Sequence, residues 1–75
     1  MQADLSALQA VLLVAQTGSF RQAARRLEIS PSALSYQVAK LEQQLGVQLF
    51  HRTTRSVTLT AVGQRFLSEA EPALH

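Results

Sequence analysis

The 75-residue sequence has no cysteine and no tryptophan, only two prolines and three glycines, and 5% aromatic residues. Without cysteine there is no disulfide framework and no thiolate metal site, so a small core must hold without a staple, which fits a reducing, cytoplasmic compartment. Long apolar runs are also missing. Stretches such as Val11 to Ala15 fall far short of the ~20 residues a bilayer span requires, and no basic segment precedes an apolar stretch at the start. The sequence therefore reads as neither crossing a membrane nor carrying a secretion signal.

What remains is a globular balance, 47% hydrophobic and 16% charged, without the low hydrophobicity and high net charge of a disordered chain. A chain of this length makes one domain and buries only about 60% of the surface its unfolded form exposes, which argues against a deep enzyme core. The net charge is only +2, but it is unevenly spread. Residues 20–58 hold Arg21, Arg25, Arg26, Lys40, Arg52 and Arg55 against Glu28 and Glu42, a net of +4, whereas the segments on either side each carry −1. A concentrated positive face is the electrostatic footprint of a nucleic-acid binder, although solvated helices often show the same excess.

Local patterns predict helix, helix, helix, hairpin, helix. Asp4 is placed to cap a first helix with Leu5, Leu8, Val11, Leu12 and Ala15 on its apolar stripe, ended by Gly18. Ser19 and Gln22 form a capping box for a second helix, with Phe20, Ala23, Ala24 and Leu27 inward and Arg21, Arg25 and Arg26 outward. After the turn Glu28-Ile29, Ser30 is an N-cap and Pro31 stands at the first helical position, where a missing N–H costs nothing. In this third helix Leu34, Val38, Leu41 and Leu45 form the buried stripe, Gly46 closes it, and the opposite face carries Ser32, Ser35, Tyr36, Lys40 and Gln43. Val47–Phe50 and Ser56–Leu59 read as two strands around a basic tip, His51 to Arg55, leaning on the helices through Leu49, Phe50, Val57 and Leu59. Thr60 caps a fourth helix whose apolar positions Val62, Phe66, Leu67, Ala70 and Leu74 exceed what one small domain needs, so part of that surface is expected to meet a second chain.

Two helices joined by a turn of about three residues, with a polar outer face on the second, describe a helix-turn-helix. The run GSFRQAARRLEISPSALSYQVAKLEQQLGVQLFHRTTRSVTLTAVG closely resembles the DNA-binding domain of LysR-type transcriptional regulators. It has, in order, the Gly-Ser-Phe opening, the paired alanines and Ser-x-x-x-Ser-x-Gln. Leu-Glu and Leu-Gly follow, then Leu-Phe-x-Arg into the wing and Leu-Thr-x-x-Gly at the linker helix. The resemblance implies a mainly α fold with a small β-hairpin wing, a winged helix-turn-helix of order α-α-α-β-β-α. It implies a DNA-binding domain over residues 1–59, with the helix-turn-helix at about 20–39 and the wing at about 47–59. Residues 60–75 then open a linker helix that pairs two copies in the full-length protein. The chain reads as the amino-terminal part of a longer regulator, in which a small-molecule inducer acts only through a separate effector domain.

In that family the first half of the recognition helix enters the major groove, which maps onto Ser32, Ser35 and Tyr36, with Ser30 and Pro31 at the helix opening. Ser30 and Ser32 stand by a helix N-terminus that favours phosphate. Tyr36 is the expected base reader, offering a hydroxyl and an aromatic edge but no bidentate fork for guanine. Lys40 is placed for a phosphate and Gln37 for backbone or base edge, while Arg52 and Arg55 resemble wing arginines that track the backbone and enter the minor groove, Arg55 being favoured for insertion. Plainer readings stand beside these: Ser30 as a cap alone, Tyr36 as a surface aromatic, Lys40 and Gln37 as solvated helix residues. The function implied is sequence-specific binding of double-stranded DNA by a dimer on an interrupted dyad.

A protein-interaction or dimerisation module without DNA binding is the alternative, and it would place apolar anchors where the third helix has Ser, Ser, Tyr and Lys. Catalysis is not expected. The five acidic residues are scattered, His51 and His75 lie far apart, the glycines form no phosphate loop, and no cofactor or metal spacing exists. Pro72 is expected to kink or end the linker helix near residues 70–71. The turn Glu28-Ile29 lacks the usual glycine, tolerable at about 1 kcal/mol if a left-handed residue is needed there.

Overall fold

Six elements follow one another: α1 (Leu5–Thr17), α2 (Phe20–Leu27), α3 (Pro31–Leu45), β1 (Phe50–Arg52), β2 (Val57–Leu59) and α4 (Ala61–Ala70). The computed structural model describes residues 5–53 and 56–70; the expected cap Asp4, the wing residue Arg55, and Pro72 and Leu74 lie outside them. The order is that of a winged helix-turn-helix.

Local chemistry sets the helix ends. Gly18 and Gly46 take φ of +67° and +73°, the left-handed region where a Cβ would be strained. Their N–H groups donate to the Val14 and Glu42 carbonyls, each at 2.8 Å. The Ser19 Oγ accepts from the Gln22 N–H at 3.1 Å, and the Ser30 Oγ from the Ala33 N–H at 3.0 Å, with Pro31 behind it. Between α2 and α3, Glu28 itself is left-handed, with φ 60° and ψ 41°. Its N–H and that of Ile29 close on the last carbonyls of α2, Ile29 reaching the Ala24 oxygen at 3.0 Å. The helix-turn-helix corner is thus a Schellman-type stop built without glycine.

α1 packs against α2, α3, α4 and β2. Its buried residues are Leu8, Ala10, Val11 and Val14, which corrects the expected stripe: Leu5 is 50% exposed, and Leu12 and Ala15 are only partly buried. A helix enclosed by several neighbours buries a wider face than one stripe, and its first turn is left at the margin. Ala23 and Ala24 are buried, and having only methyl groups they let α2 come close to both α1 and α3. Leu34, Val38, Leu41, Leu49, Phe50 and Leu67 complete the core, with Leu45, Val57, Leu59 and Phe66 packed around it.

The hairpin is antiparallel, with Phe50 opposite Leu59, His51 opposite Thr58 and Arg52 opposite Val57. The first strand therefore begins at Phe50 rather than Val47, and His51 and Arg52 belong to the strand, not the tip. Residues 47–49 are strap instead of strand because their polar groups are already engaged. The Glu42 carboxylate accepts the Leu49 N–H at 2.7 Å and the Phe50 N–H at 3.3 Å. On the other side the Thr60 N–H donates to the Leu49 carbonyl at 2.9 Å, and the Thr60 hydroxyl donates to the Gln48 carbonyl at 2.7 Å. The same hydroxyl oxygen caps α4 by accepting the Gly63 N–H at 2.9 Å. Gly63 is buried against the strap, and a Cβ there would collide with the Leu49 carbonyl.

Candidate nucleic-acid interface

α3 runs about 22 Å at 1.5 Å per residue. Leu34, Val38 and Leu41 are buried on one side. Ser32, Tyr36, Lys40 and Gln43, spaced four, four and three residues apart, share the exposed side. Tyr36 stands near its middle, 68% exposed. Its ring lies outside the core cluster. Ser35 and Gln37 are half-buried on the flanks of that face. Gln37 joins Tyr36, Lys40, Leu41 and Gln44 in lining a groove closed on the far side by Ala7 of α1.

At the head of α3 the donors are nearly all spent. Pro31 has none, the Ala33 N–H is taken by the Ser30 Oγ, and the Leu34 N–H bonds the Ser30 carbonyl at 3.1 Å. The Ser32 N–H is left to face outward, at the positive end of the helix dipole, and the Ser30 hydroxyl keeps its proton to donate while its oxygen caps. Capping and an anion contact by Ser30 are thus compatible. Ser30, Pro31 and Ser32 are all exposed.

Of the expected site residues, Pro31, Ser32, Tyr36 and Lys40 come together on α3 with Ser30 at its head and Ser35 and Gln37 beside them. Arg52 stands on the hairpin rather than on α3. It ends β1, and its guanidinium lies over the Phe20 ring at the start of α2, 3.9 Å from the centroid. Phe20 meets Phe50 edge-on, with centroids 5.9 Å apart. The chain Arg52, Phe20, Phe50 ties the hairpin to α2, a contact at long sequence distance that no local pattern announced. Arg21, Arg25 and Arg26 are exposed; Arg25 and Arg26 fall in the last turn of α2, where a helix dipole already favours cations. Among the described residues no three His, Asp or Glu side chains are grouped to hold a metal ion.

Glu42 was visible in the sequence as a charge and as part of the Leu-Glu motif, with no contact assigned to it. The signal for its role is positional: four residues after Val38, it falls on the margin of the buried stripe, where a carboxylate needs partners.

Residues 5–64 match the family described as bacterial regulatory helix-turn-helix protein, lysR family. The chain belongs to that family. LysR-family proteins are transcriptional regulators and not enzymes. The chain is 52% identical over 70 residues to the uncharacterized HTH-type transcriptional regulator y4mQ of Sinorhizobium fredii, an alignment covering 93% of this chain and 24% of that protein. Among solved LysR-family structures, oxidized OxyR of Corynebacterium glutamicum superposes with a TM-score of 0.93 at 36% identity, over 99% of this chain and 23% of that one. The CbnR DNA-binding domain, solved as a DNA complex, gives 0.91 at 36% identity, over 96% of this chain and 83% of that one. The chain thus spans about a quarter of the length of the first curated relative it matches.

Proposed function

We propose that this chain is the DNA-reading part of a cytoplasmic LysR-family transcriptional regulator, binding double-stranded DNA sequence-specifically as one half of a homodimer. The observation that carries this reading is the exposed polar face of α3 in a chain that superposes on a DNA-binding domain solved with DNA. α3 enters the major groove with Tyr36 and Ser35 against base edges. Ser30, Pro31, Ser32, Gln37 and Lys40 set the register on the phosphates. Arg55, and Arg52 from its place over Phe20, serve the backbone and the minor groove beside it.

Residues 1–59 act as the winged unit, and residues 60–75 open the linker helix through which two copies pair. Val62, 45% exposed, lines a groove with Leu45, Val47 and Phe66 that Arg65 and Glu69 border, a face suited to such pairing. An inducer would act through the part of the regulator beyond this chain. No helix of the described residues is long and apolar enough to cross a membrane.

The test is selection from a random duplex pool at two salt concentrations. A dyad-symmetric motif, enriched at both and bound more weakly at the higher salt, is expected. Recovery of a random pool at both concentrations refutes the reading. Tyr36→Phe should alter preference at one or two positions of each half-site, while Lys40→Ala weakens all duplexes alike.

A further inference from the structure

The strap between α3 and the hairpin has its polar groups fixed from two sides: on the α3 side the Glu42 main-chain carbonyl accepts the Val47 N–H at 3.2 Å, and one carboxylate oxygen of the same residue holds the far end. Glu42 Oε2 accepts the N–H groups of both Leu49 and Phe50, at 2.7 and 3.3 Å. Leu49 is fully buried, and the two-stranded ladder pairs only residues from Phe50 onward. Its N–H therefore takes no part in that ladder, and without the carboxylate it would be left unpaired in the interior, which is strongly unfavourable. Electrostatics alone would argue against the residue. A negative charge on α3 opposes a polyanion, so the carboxylate's value must be geometric.

We propose that Glu42 is a positioning residue for the hairpin: its carboxylate sets where β1 stands relative to α3, and so the geometry with which the two elements meet a duplex together. This rests on the DNA-binding reading above.

Affinity for a selected duplex is measured for the unmodified chain, for E42Q and E42L, and for each combined with Arg55→Ala or Lys40→Ala. Amide hydrogen exchange is followed in parallel. The Gln Oε1 accepts the same two bonds, so E42Q should bind within about threefold of the unmodified chain, whereas E42L, equally neutral but unable to accept, should bind about tenfold more weakly. Arg55→Ala should lose less in the E42L background than in the unmodified chain, and Lys40→Ala should lose the same in both. Exchange should quicken at Leu49 and Phe50 while α1 and α3 stay protected.

Unchanged binding by E42L, full additivity with Arg55→Ala, or E42Q as weak as E42L each overturns the proposal. So does loss of protection across α1 and α3 in E42L, because the carboxylate would then hold the whole domain. If the unmodified chain selects no duplex, the reading of function fails on its own terms, and unchanged exchange at Leu49 and Phe50 in E42L would separately overturn the positioning role.

Discussion

At Gly63 two residue-scale effects oppose one another, and their sizes decide the outcome. In a free helix, alanine is favoured over glycine by about 1 kcal/mol. Here the added Cβ would meet the Leu49 carbonyl, backbone that Thr60 already holds, and forcing atoms into a packed site costs about 1–3 kcal/mol. Overpacking should win: Gly63→Ala is expected to lower stability, read as a lower denaturation midpoint in urea. At Arg52 the stack on Phe20 should be measurable without any DNA. In a cycle of Arg52→Gln and Phe20→Leu on the free chain, a coupling of about 0.5–1 kcal/mol is expected, as for an exposed cation–π pair; a coupling of zero would return Arg52 to a purely external role. Neither Gly63 nor Arg52 announces its contact in the sequence, because each partner lies more than a dozen residues away.

At the scale of elements, what was legible is what is local. Ser30-Pro31, Ser19, Gly18 and Gly46 mark helix ends by chemistry confined to four or five residues and serve as expected, except that the capping box is made on one side alone: the Ser19 Oγ accepts the Gln22 N–H, while the Ser19 N–H donates to the Thr17 Oγ1 at 3.3 Å. The start of β1 was not legible, since the amides of Leu49 and Phe50 are claimed by Glu42 seven and eight residues earlier. The buried side of α1 was half legible: a single stripe was expected, and Ala10 and Val14 are buried because several elements surround that helix. The corner between α2 and α3 is the one place where local sequence and local backbone disagree, with a glutamate at φ 60°. Removing its Cβ strain should help, and Glu28→Gly is expected to raise stability by about 1 kcal/mol in thermal or urea unfolding.

For the molecule as a whole, the reading of charge made from the sequence and the reading of surface made from the fold converge on α3. Lys40 is exposed beside Tyr36, as its place in the helical repeat implied; Arg52 is exposed too, but leans on α2. Binding to duplex should follow phosphate neutralisation, log affinity falling linearly with log salt, and Lys40→Ala should lower that slope by about 1. A titration at four or five salt concentrations with one selected and one random duplex measures it; an unchanged slope would remove Lys40 from the phosphate contacts. The doubly held strap has a further consequence for how such a chain tolerates changes of length. One extra residue between Thr53 and Ser56 leaves every bond from Glu42 and Thr60 to the strap in register. One extra residue between Gly46 and Leu49 would move every donor past Glu42 and every acceptor past Thr60 by a step, turning the side chain of Leu49 out of the interior, so insertions should survive at the former place and fail at the latter.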